Sequence, residues 1–239
     1  MKKFFFFAAA LVAAATINAQ TYDLTAMDIA ESDITVTNGT ITKNDAKAYF
    51  EVKNTAGETV EMSIKQLPNV KFSYKNSAVK TAFKVYYNAE GKSGNGKIQM
   101  DGNQRDVTIN NLSIGTIVTL TVCSKGDTGA QFAKSEKGDA FIGCAAVDPS
   151  AVGIGTALPG KTAEAGNTYD IKVQAAASTI TIRETVGGYI LKSLTIGGET
   201  AIDNTNAEAV KAVKYMENGQ LIIEKNGIKY NALGAVIAE

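Results

Sequence analysis

Short segments in which apolar and polar residues alternate recur along most of this chain, separated by turn residues. Val118, Leu120 and Val122, for example, alternate with Thr119 and Thr121. A period of two places successive side chains on opposite faces of a strand. Such segments, repeated roughly every 8–15 residues with Gly, Asn and Asp between them, predict an all-β fold. We expect an antiparallel β-sandwich of two sheets.

Two dipeptides predict where this chain reverses direction between neighbouring strands. Asn38-Gly39 separates two threonine-rich segments, and Asp101-Gly102 separates two further alternating segments. Asn-Gly tolerates the positive φ angles of a type I′ turn, which matches the twist of paired strands. We therefore expect the segments around Asn38-Gly39 to form a hairpin and those around Asp101-Gly102 to form another strand–turn–strand unit.

The N-terminal residues 1–19 have the features of a secretory signal peptide. Lys2 and Lys3 precede an apolar run over residues 4–15, and Asn18-Ala19 offers a cleavage point. This run has 12 residues, whereas a membrane-spanning helix needs about 20. The sequence thus predicts export past the inner membrane, to the cell surface or the medium.

Removal of residues 1–19 would leave 22 basic and 24 acidic residues, a net charge of −2. No later segment is long and apolar enough to span a membrane, so we expect no transmembrane segment in the mature chain. A charge so close to zero also gives no electrostatic footprint for nucleic acid, and we expect no such partner.

The mature chain divides into three predicted parts. Residues 20–198 form a single β-sandwich domain, because no proline-rich or charge-dense linker interrupts them. Within it, the glycine-rich residues 152–160 are predicted to form a long loop. Residues 199–213 form a linker with a short helical pattern, and residues 214–239 form a C-terminal β-hairpin tail.

The tail carries the most specific resemblance in this sequence. Residues 217–236 read ENGQLIIEKNGIKYNALGAV, with Asn226-Gly227 at the expected turn. This string resembles the C-terminal tails of secreted Bacteroidota proteins, which act as sorting modules of a type IX-like secretion route or as end caps. The resemblance implies surface display and an interaction with export machinery. The alternative is an edge hairpin that completes the sandwich.

A second, architectural resemblance covers part of the preceding domain. Residues 106–120 form a strand, an Asn-Leu-x-x-Gly corner and another strand, and residues 178–196 contain two more strands. These segments are similar to the closing strands of jelly-roll modules found as carbohydrate-binding domains on secreted glycan-degrading enzymes. The resemblance implies a jelly-roll-like sandwich and a polysaccharide or surface glycan as the partner.

Four aromatic residues are the candidate ligand-binding residues. Adjacent strand residues point to opposite faces, so one of Tyr86 and Tyr87 is expected to face outward. Phe72 and Tyr74, two residues apart, share a face and could form a small platform on which a sugar stacks. The alternative for all four is packing in the core. The chain has no Trp, the residue with the largest ring for such a platform.

The two cysteines of the exported chain, Cys123 and Cys144, are predicted to form a disulfide. Closing that loop would contribute roughly 3 kcal/mol in the chain-entropy model. The alternation places Cys123 with Thr119 and Thr121, so a surface bridge or an exposed thiol is expected. The alternative is two separate thiols packed as small apolar groups.

Composition and spacing exclude several catalytic and cofactor sites. The chain has no His, which excludes a Ser-His-Asp triad, a Cys-His dyad and a His-ligated zinc site. Residues 91–97, GKSGNGK, approach a P-loop but continue with Ile98 instead of Ser or Thr. We expect a flexible loop there and no nucleotide.

Carboxylates remain as the candidates for catalysis and for metal binding. No two of them have a spacing that singles out a glycosidase pair, so a hydrolase is not favoured. Asp101, Asn103 and Asp106 offer oxygen ligands for a structural calcium ion, with a polar turn as the alternative. We expect no other cofactor.

These observations predict an exported, non-enzymatic β-sandwich protein that binds glycans or mediates adhesion at the bacterial surface. The alternative is a structural or assembly protein that has no small-molecule ligand and pairs through exposed strand edges.

Overall fold

The computed structural model describes residues 19–87, 97–102, 104–136 and 138–197, and the strands 213–217, 220–225 and 228–231. The chain divides into one unit that ends at Thr200 and a second that begins at Ala201. The strands of the first unit are β1 (Gln20–Asp23), β2 (Ile34–Thr37), β3 (Gly39–Asn44), β4 (Tyr49–Asn54), β5 (Thr59–Ile64), β6 (Val70–Lys75), β7 (Thr81–Tyr86), β8 (Ile98–Met100), β9 (Arg105–Ile109), β10 (Ile117–Ser124), β11 (Phe141–Ile142), β12 (Cys144–Ala146), β13 (Tyr169–Ala175), β14 (Ile180–Arg183) and β15 (Tyr189–Ile196).

Helical structure is sparse in the described part of the chain. It comprises α1 (Thr162–Ala165) and three single 3-10 turns, Leu24–Ala26, Glu31–Asp33 and Asp45–Lys47. None of these helices has the length or apolar character needed to cross a bilayer.

The first unit is a sandwich of two antiparallel sheets. The nine-stranded sheet has the order β12-β13-β10-β15-β8-β7-β4-β3, with β1 also paired to β15. The six-stranded sheet has the order β11-β14-β9-β6-β5-β2. The all-β antiparallel sandwich predicted from the alternation is therefore confirmed.

The core lies between the two sheets, where the apolar positions of the alternating segments meet. Phe72 of the six-stranded sheet and Phe83 of the nine-stranded sheet make an edge-to-face contact with ring centroids 6.1 Å apart. Val118, Leu120 and Val122 are fully buried, as their spacing predicts. Because few large aromatic rings are available, aliphatic side chains fill most of this space.

The predicted Asn38-Gly39 hairpin is wrong, because the two strands around it belong to different sheets. Strand β2 pairs with β5 in the six-stranded sheet, whereas β3 pairs with β4 in the nine-stranded sheet. Asn38 adopts the predicted left-handed conformation, with φ of 55°. A Cβ on Gly39 would lie 2.5 Å from the carbonyl oxygen of Lys53. The dipeptide makes a tight corner between the sheets.

Asp101-Gly102 has the same role at the same end of the sandwich, where β7 begins. Strand β8 before it pairs with β7 and β15 in the nine-stranded sheet, and β9 after it pairs with β6 and β14 in the six-stranded sheet. Turn residues reverse the chain locally, but the buried faces of both strands find longer-range partners. The chain accordingly crosses between the sheets at this point.

The second unit is a three-stranded antiparallel sheet of β16 (Val213–Glu217), β17 (Gln220–Lys225) and β18 (Ile228–Asn231). Strands β17 and β18 pair with each other, from Lys225 opposite Ile228 to Ile222 opposite Asn231. Strand β16 pairs with β17 and adds one strand to the expected hairpin. The predicted signal peptide before residue 19 and the linker residues before 213 lie outside the described residues.

Candidate functional site

Two of the four candidate ligand-binding aromatic residues, Phe72 and Tyr86, are buried in the folded protein. Phe72 is fully buried in the core. Tyr86 is 7% exposed and packs edge-to-face against Tyr49, while its hydroxyl donates to Gln99 Oε1 at 3.2 Å. Burial raises the pKa of Tyr86 to about 12, with the charge of Asp101 adding to the effect. Neither ring is open to a ligand, so the expected platform role of these two residues is wrong.

Tyr74 is also buried, at 7% exposure, because it lies beneath an arginine. The Arg105 guanidinium carbon is 4.0 Å from the centroid of the Tyr74 ring. The Tyr74 hydroxyl accepts a hydrogen bond from Asn76 Nδ2 at 2.8 Å. Its ring cannot act as a stacking platform, although its edge lines a groove described below. The sequence-predicted pair of Phe72 and Tyr74 therefore forms no platform.

Tyr87 is the one member of the four whose ring is partly exposed. It follows β7, and its backbone N–H donates to the Ala48 carbonyl at 3.2 Å. The ring packs against Phe50 with centroids 5.2 Å apart and planes tilted by 50°. Both rings line a cleft of about 370 Å³, which we call the Tyr87 cleft. It is lined by Asp28, Ile29, Ala30, Glu31, Lys43, Phe50 and Tyr87.

Charged groups surround the apolar surface of the Tyr87 cleft. Lys43 Nζ lies 5.2 Å from the Tyr87 ring centroid and 2.7 Å from Asp45 Oδ1. The Tyr87 hydroxyl donates to the same Asp45 oxygen at 3.0 Å. Hydrogen bonds from Lys43 and then from Tyr87 lower the pKa of Asp45. The cleft thus combines aromatic surface with ionised groups at its rim, a combination suited to a ligand with both apolar and hydroxyl-bearing faces.

A second, polar groove lies at the opposite end of β7, where that strand begins. Its volume is about 530 Å³, and we call it the cationic groove. It is lined by Tyr74, Lys75, Asn76, Lys80, Thr81, Asp101, Gly102, Gln104, Arg105 and Lys125. A neighbouring hollow of about 460 Å³ shares Asp101, Gly102 and Lys125 with it. The groove therefore continues past Asp101 over the end of the nine-stranded sheet.

Arg105 forms the floor of the cationic groove and connects the two sheets. Its backbone belongs to β9 in the six-stranded sheet, and its Nε and Nη2 donate to the carbonyls of Ala82 and Thr81, each at 2.7 Å. The pairing register of β4 and β7 shifts at this point. Such a bulge leaves a strand residue without its ladder partner, and Arg105 satisfies the carbonyls there.

Asp101 is held between two lysines at the wall of the cationic groove. Its carboxylate lies 2.6 Å from Lys125 Nζ and 3.1 Å from Lys84 Nζ, and it also accepts a hydrogen bond from Gln99. Burial acts to raise the pKa of Asp101, but Lys125, Lys84 and Gln99 outweigh it and the pKa is lowered. A carboxylate held ionised in this way does not fit the role of general acid in glycoside hydrolysis.

A buried carboxyl group lies behind Arg105. Glu184 is fully buried, and its carboxyl oxygens accept from the Arg105 backbone N–H at 3.1 and 3.3 Å. Burial raises the pKa of Glu184 well above its ordinary value. The hydroxyl of Tyr189, also fully buried, has no hydrogen-bond partner among the described residues. The groove floor is thus backed by a buried carboxyl group with a raised pKa.

The candidate calcium ligands have cationic partners in the structure. Asp101 faces Lys84 and Lys125, and Asp106 forms a two-pronged pair with Arg183 at 2.5 and 2.7 Å. Asn103 lies outside the described residues, as does the P-loop-like string up to residue 96. Within the described ranges, no three acidic or cysteine side chains are grouped as a metal site would require.

The predicted disulfide is wrong, because the sheet register keeps the two cysteines apart. Cys144 on β12 is opposite Ala175, one residue beyond the pair of Gln174 and Ile117. Cys123 lies one residue beyond the opposite end of the same β10–β13 ladder. The paired residues 117–122 of β10 lie between them, a length of about 20 Å. A disulfide needs Cα atoms within about 7 Å, and neither cysteine is part of a disulfide.

The predicted exposure of Cys123 is also wrong, although its face of the strand is the expected one. Its side chain packs with Ile190 of β15 and with Ala163 of α1, and it is fully buried. Helix α1 covers this end of the outer sheet face, which strand alternation alone does not reveal. Cys144 is partly buried, and burial raises the pKa of its thiol to about 11.

Of the charged residues in and behind the cationic groove, the sequence singled out only Asp101, as a candidate calcium ligand. A signal for Arg105 and Glu184 was nevertheless present. Arg105 continues the buried alternation of Val107 and Ile109, and Glu184 continues that of Ile180 and Ile182. A charged residue on the apolar face of a predicted strand marks either a buried polar contact or the end of the core. The lysines of the groove gave no such signal.

Comparison with known proteins leaves this geometry as the basis for inferring function. The chain matches no protein-family model, and no curated protein or solved structure is significantly similar to it.

Proposed function

We propose that this chain is an exported, non-enzymatic glycan-binding protein whose saccharide site is the Tyr87 cleft. The observation that carries the proposal is the partly exposed Tyr87 ring beside Phe50 in a cleft of about 370 Å³. Sugars present C–H faces that stack on aromatic rings and hydroxyls that bond to charged groups. Lys43 and Glu31, which line the cleft, supply a donor and an acceptor.

Export to the cell surface or the medium is part of the proposal. It is supported by the signal-like residues 1–19 and by the resemblance of residues 217–236 to sorting tails. The proposed tail role is tested by deleting residues 214–239 and measuring the protein delivered to the cell surface. We expect delivery to fall. Unchanged delivery would contradict a sorting role for the tail.

Affinity electrophoresis against a panel of neutral polysaccharides tests the proposed saccharide site. We expect at least one polysaccharide to retard the wild-type chain and Tyr87→Ala to abolish that retardation. Tyr169→Ala is the matched control, because Tyr169 is also a partly exposed tyrosine but lies on β13. Retardation that persists in Tyr87→Ala, or that is lost equally in Tyr169→Ala, would contradict the proposed site.

Assembly through strand edges is the second candidate function. Ile142 and Val147, which are 50% and 45% exposed, lie in or beside the edge strands β11 and β12. Exposed apolar residues at sheet edges favour pairing with another chain. Under this alternative, light scattering would detect oligomers that grow with concentration and that Ile142→Lys disperses. A monomer at all concentrations would contradict it.

A further inference from the structure

The lining of the cationic groove has an excess of positive side chains. Four cationic side chains line it, Lys75, Lys80, Arg105 and Lys125, against the single carboxylate of Asp101. The whole chain has a net charge of zero. The positive charge is therefore a local feature of this end of the sandwich, and it raises the local concentration of anions.

Asp101 offsets only one of these four positive charges. It already pairs with Lys125 and with Lys84, which approaches from outside the groove lining. Lys75 and Lys80 are exposed and form no ion pair with any described residue. Two ammonium groups therefore remain available at the rim of the groove.

Arg105 adds a fixed cation at the floor. The residue is 4% exposed, and its position is set by Tyr74 beneath it and by two carbonyl acceptors. Its Nη1 faces Gly102 in the groove lining, where an added Cβ would lie 3.4 Å from that nitrogen. A guanidinium whose position is fixed before the ligand arrives loses little conformational entropy when it binds a planar oxyanion.

Glu184 lies behind this floor, and burial raises the pKa of its carboxyl group, which acts against the ionised form beside Arg105.

We propose that the cationic groove binds an acidic saccharide through carboxylate groups, which Lys75, Lys80 and Arg105 recognise. A carboxylate matches the planar fork of an arginine and the point charges of lysines. The volume of about 530 Å³ exceeds the space that one small anion needs, and the neighbouring hollow extends it. That the ligand is a saccharide rests on the proposed function, whereas the recognition of its carboxylate groups rests on the residues of the groove alone.

Titration calorimetry with two forms of one polymer tests this proposal. Polygalacturonate carries a carboxylate on each sugar, and its fully methyl-esterified form has the same backbone without the charge. We expect wild-type protein to bind the acid form, more weakly as salt rises, and to bind the ester at least tenfold more weakly. Equal binding of the two forms, or binding of neither, would overturn the proposal.

Lysine variants locate the binding. Lys75→Gln/Lys80→Gln should weaken binding of polygalacturonate about tenfold, as expected for the loss of two exposed charge contacts. Lys65→Gln/Lys172→Gln changes net charge equally at exposed lysines outside the groove, and should change binding less than twofold. Equal weakening in both variants would mean that overall charge is responsible, and the proposal would be wrong.

A further variant separates this proposal from the proposed function. Tyr87→Ala should leave polygalacturonate binding unchanged, because Tyr87 follows β7 while the groove begins at the start of that strand. Loss of acid binding in Tyr87→Ala would place the acidic ligand in the Tyr87 cleft and overturn the groove assignment. Failure of the neutral panel with retained acid binding would overturn the Tyr87 site alone.

Discussion

The guanidinium carbon of Arg105 lies 4.0 Å from the ring centroid of Tyr74, and the same guanidinium donates to two carbonyls of the opposite sheet. One side chain thereby closes the end of the sandwich and forms the floor of the cationic groove. The contact explains why a tyrosine predicted to be a binding platform is buried. It also makes Arg105 both a structural residue and a candidate ligand-binding residue.

Arg105→Met should lower the free energy of unfolding by about 3 kcal/mol. The change removes two charge-assisted hydrogen bonds and leaves the carbonyls of Thr81 and Ala82 without that donor. Lys80→Met, at an exposed position of the same groove, should change stability by less than about 0.5 kcal/mol. Urea denaturation of both variants measures the difference. Equal stabilities would show that Arg105 does not hold the sheets together.

Glu184→Gln should increase stability at neutral pH and reduce its dependence on pH. Burial, the largest cause, raises the pKa of Glu184 in the folded state above the ordinary value of 4.5. The folded state therefore binds this proton more tightly than the unfolded state does. The resulting contribution to the free energy of unfolding is complete below pH 4.5 and is lost as pH rises through the raised pKa. Glutamine keeps a neutral acceptor at all pH values.

The measurement is the unfolding free energy of wild type and Glu184→Gln between pH 4 and pH 9. The unfolding free energy of Glu184→Gln should increase relative to that of wild type as pH rises. Glu164→Gln, at an exposed position, is the control and should follow wild type. A constant difference between wild type and Glu184→Gln across this range would contradict the raised pKa.

Gly39→Ala should destabilise the sandwich by about 1–3 kcal/mol, the usual cost of forcing extra atoms into a packed site. The added Cβ would lie 2.5 Å from the Lys53 carbonyl oxygen and 2.6 Å from Val60 Cγ2. Gly126→Ala is the matched control, because no atom lies within 4 Å of its added Cβ. Thermal denaturation of the two variants gives the comparison, and a similar melting temperature for both would contradict the corner geometry.

Both cysteines should remain thiols in the oxidised, purified protein. Denaturation without a reductant should allow two alkylations per chain, detected by mass spectrometry. In the folded protein, Cys123 should be protected by burial, and Cys144 should react slowly until pH approaches about 11, the value to which burial raises its pKa. A peptide in which Cys123 and Cys144 are cross-linked would contradict the sheet register.

The alternating pattern was sufficient to predict the strands and the core, because burial of one face depends on local sequence. Val118, Leu120 and Val122 illustrate this success. Strand pairing was harder to predict, since Asn38-Gly39 specifies a reversal of the chain but not the sheet that each strand joins. The distance between Cys123 and Cys144 depends on that pairing, so the disulfide prediction failed with it.

The candidate site was less predictable than the fold. Alternation indicated that one of Tyr86 and Tyr87 would face outward, and Tyr87 does. The burial of Tyr74 depends on Arg105, which reaches it from a neighbouring strand. The cationic groove brings together residues of β6, β9 and the segments beside β7 and β10. These residues come together only through the pairing of the strands in three dimensions, so the alternation in the sequence does not predict the groove.

The central claim is that two chemically different saccharide sites lie at opposite ends of β7. The most direct measurement titrates Tyr87→Ala and Lys75→Gln/Lys80→Gln with polygalacturonate and with a neutral polysaccharide that retards the wild-type chain. The predicted result is that Tyr87→Ala loses only the neutral ligand and the lysine variant weakens only the acidic one. The claim would be contradicted if either variant lost both ligands. It would also be contradicted if both variants bound both ligands as well as wild type does.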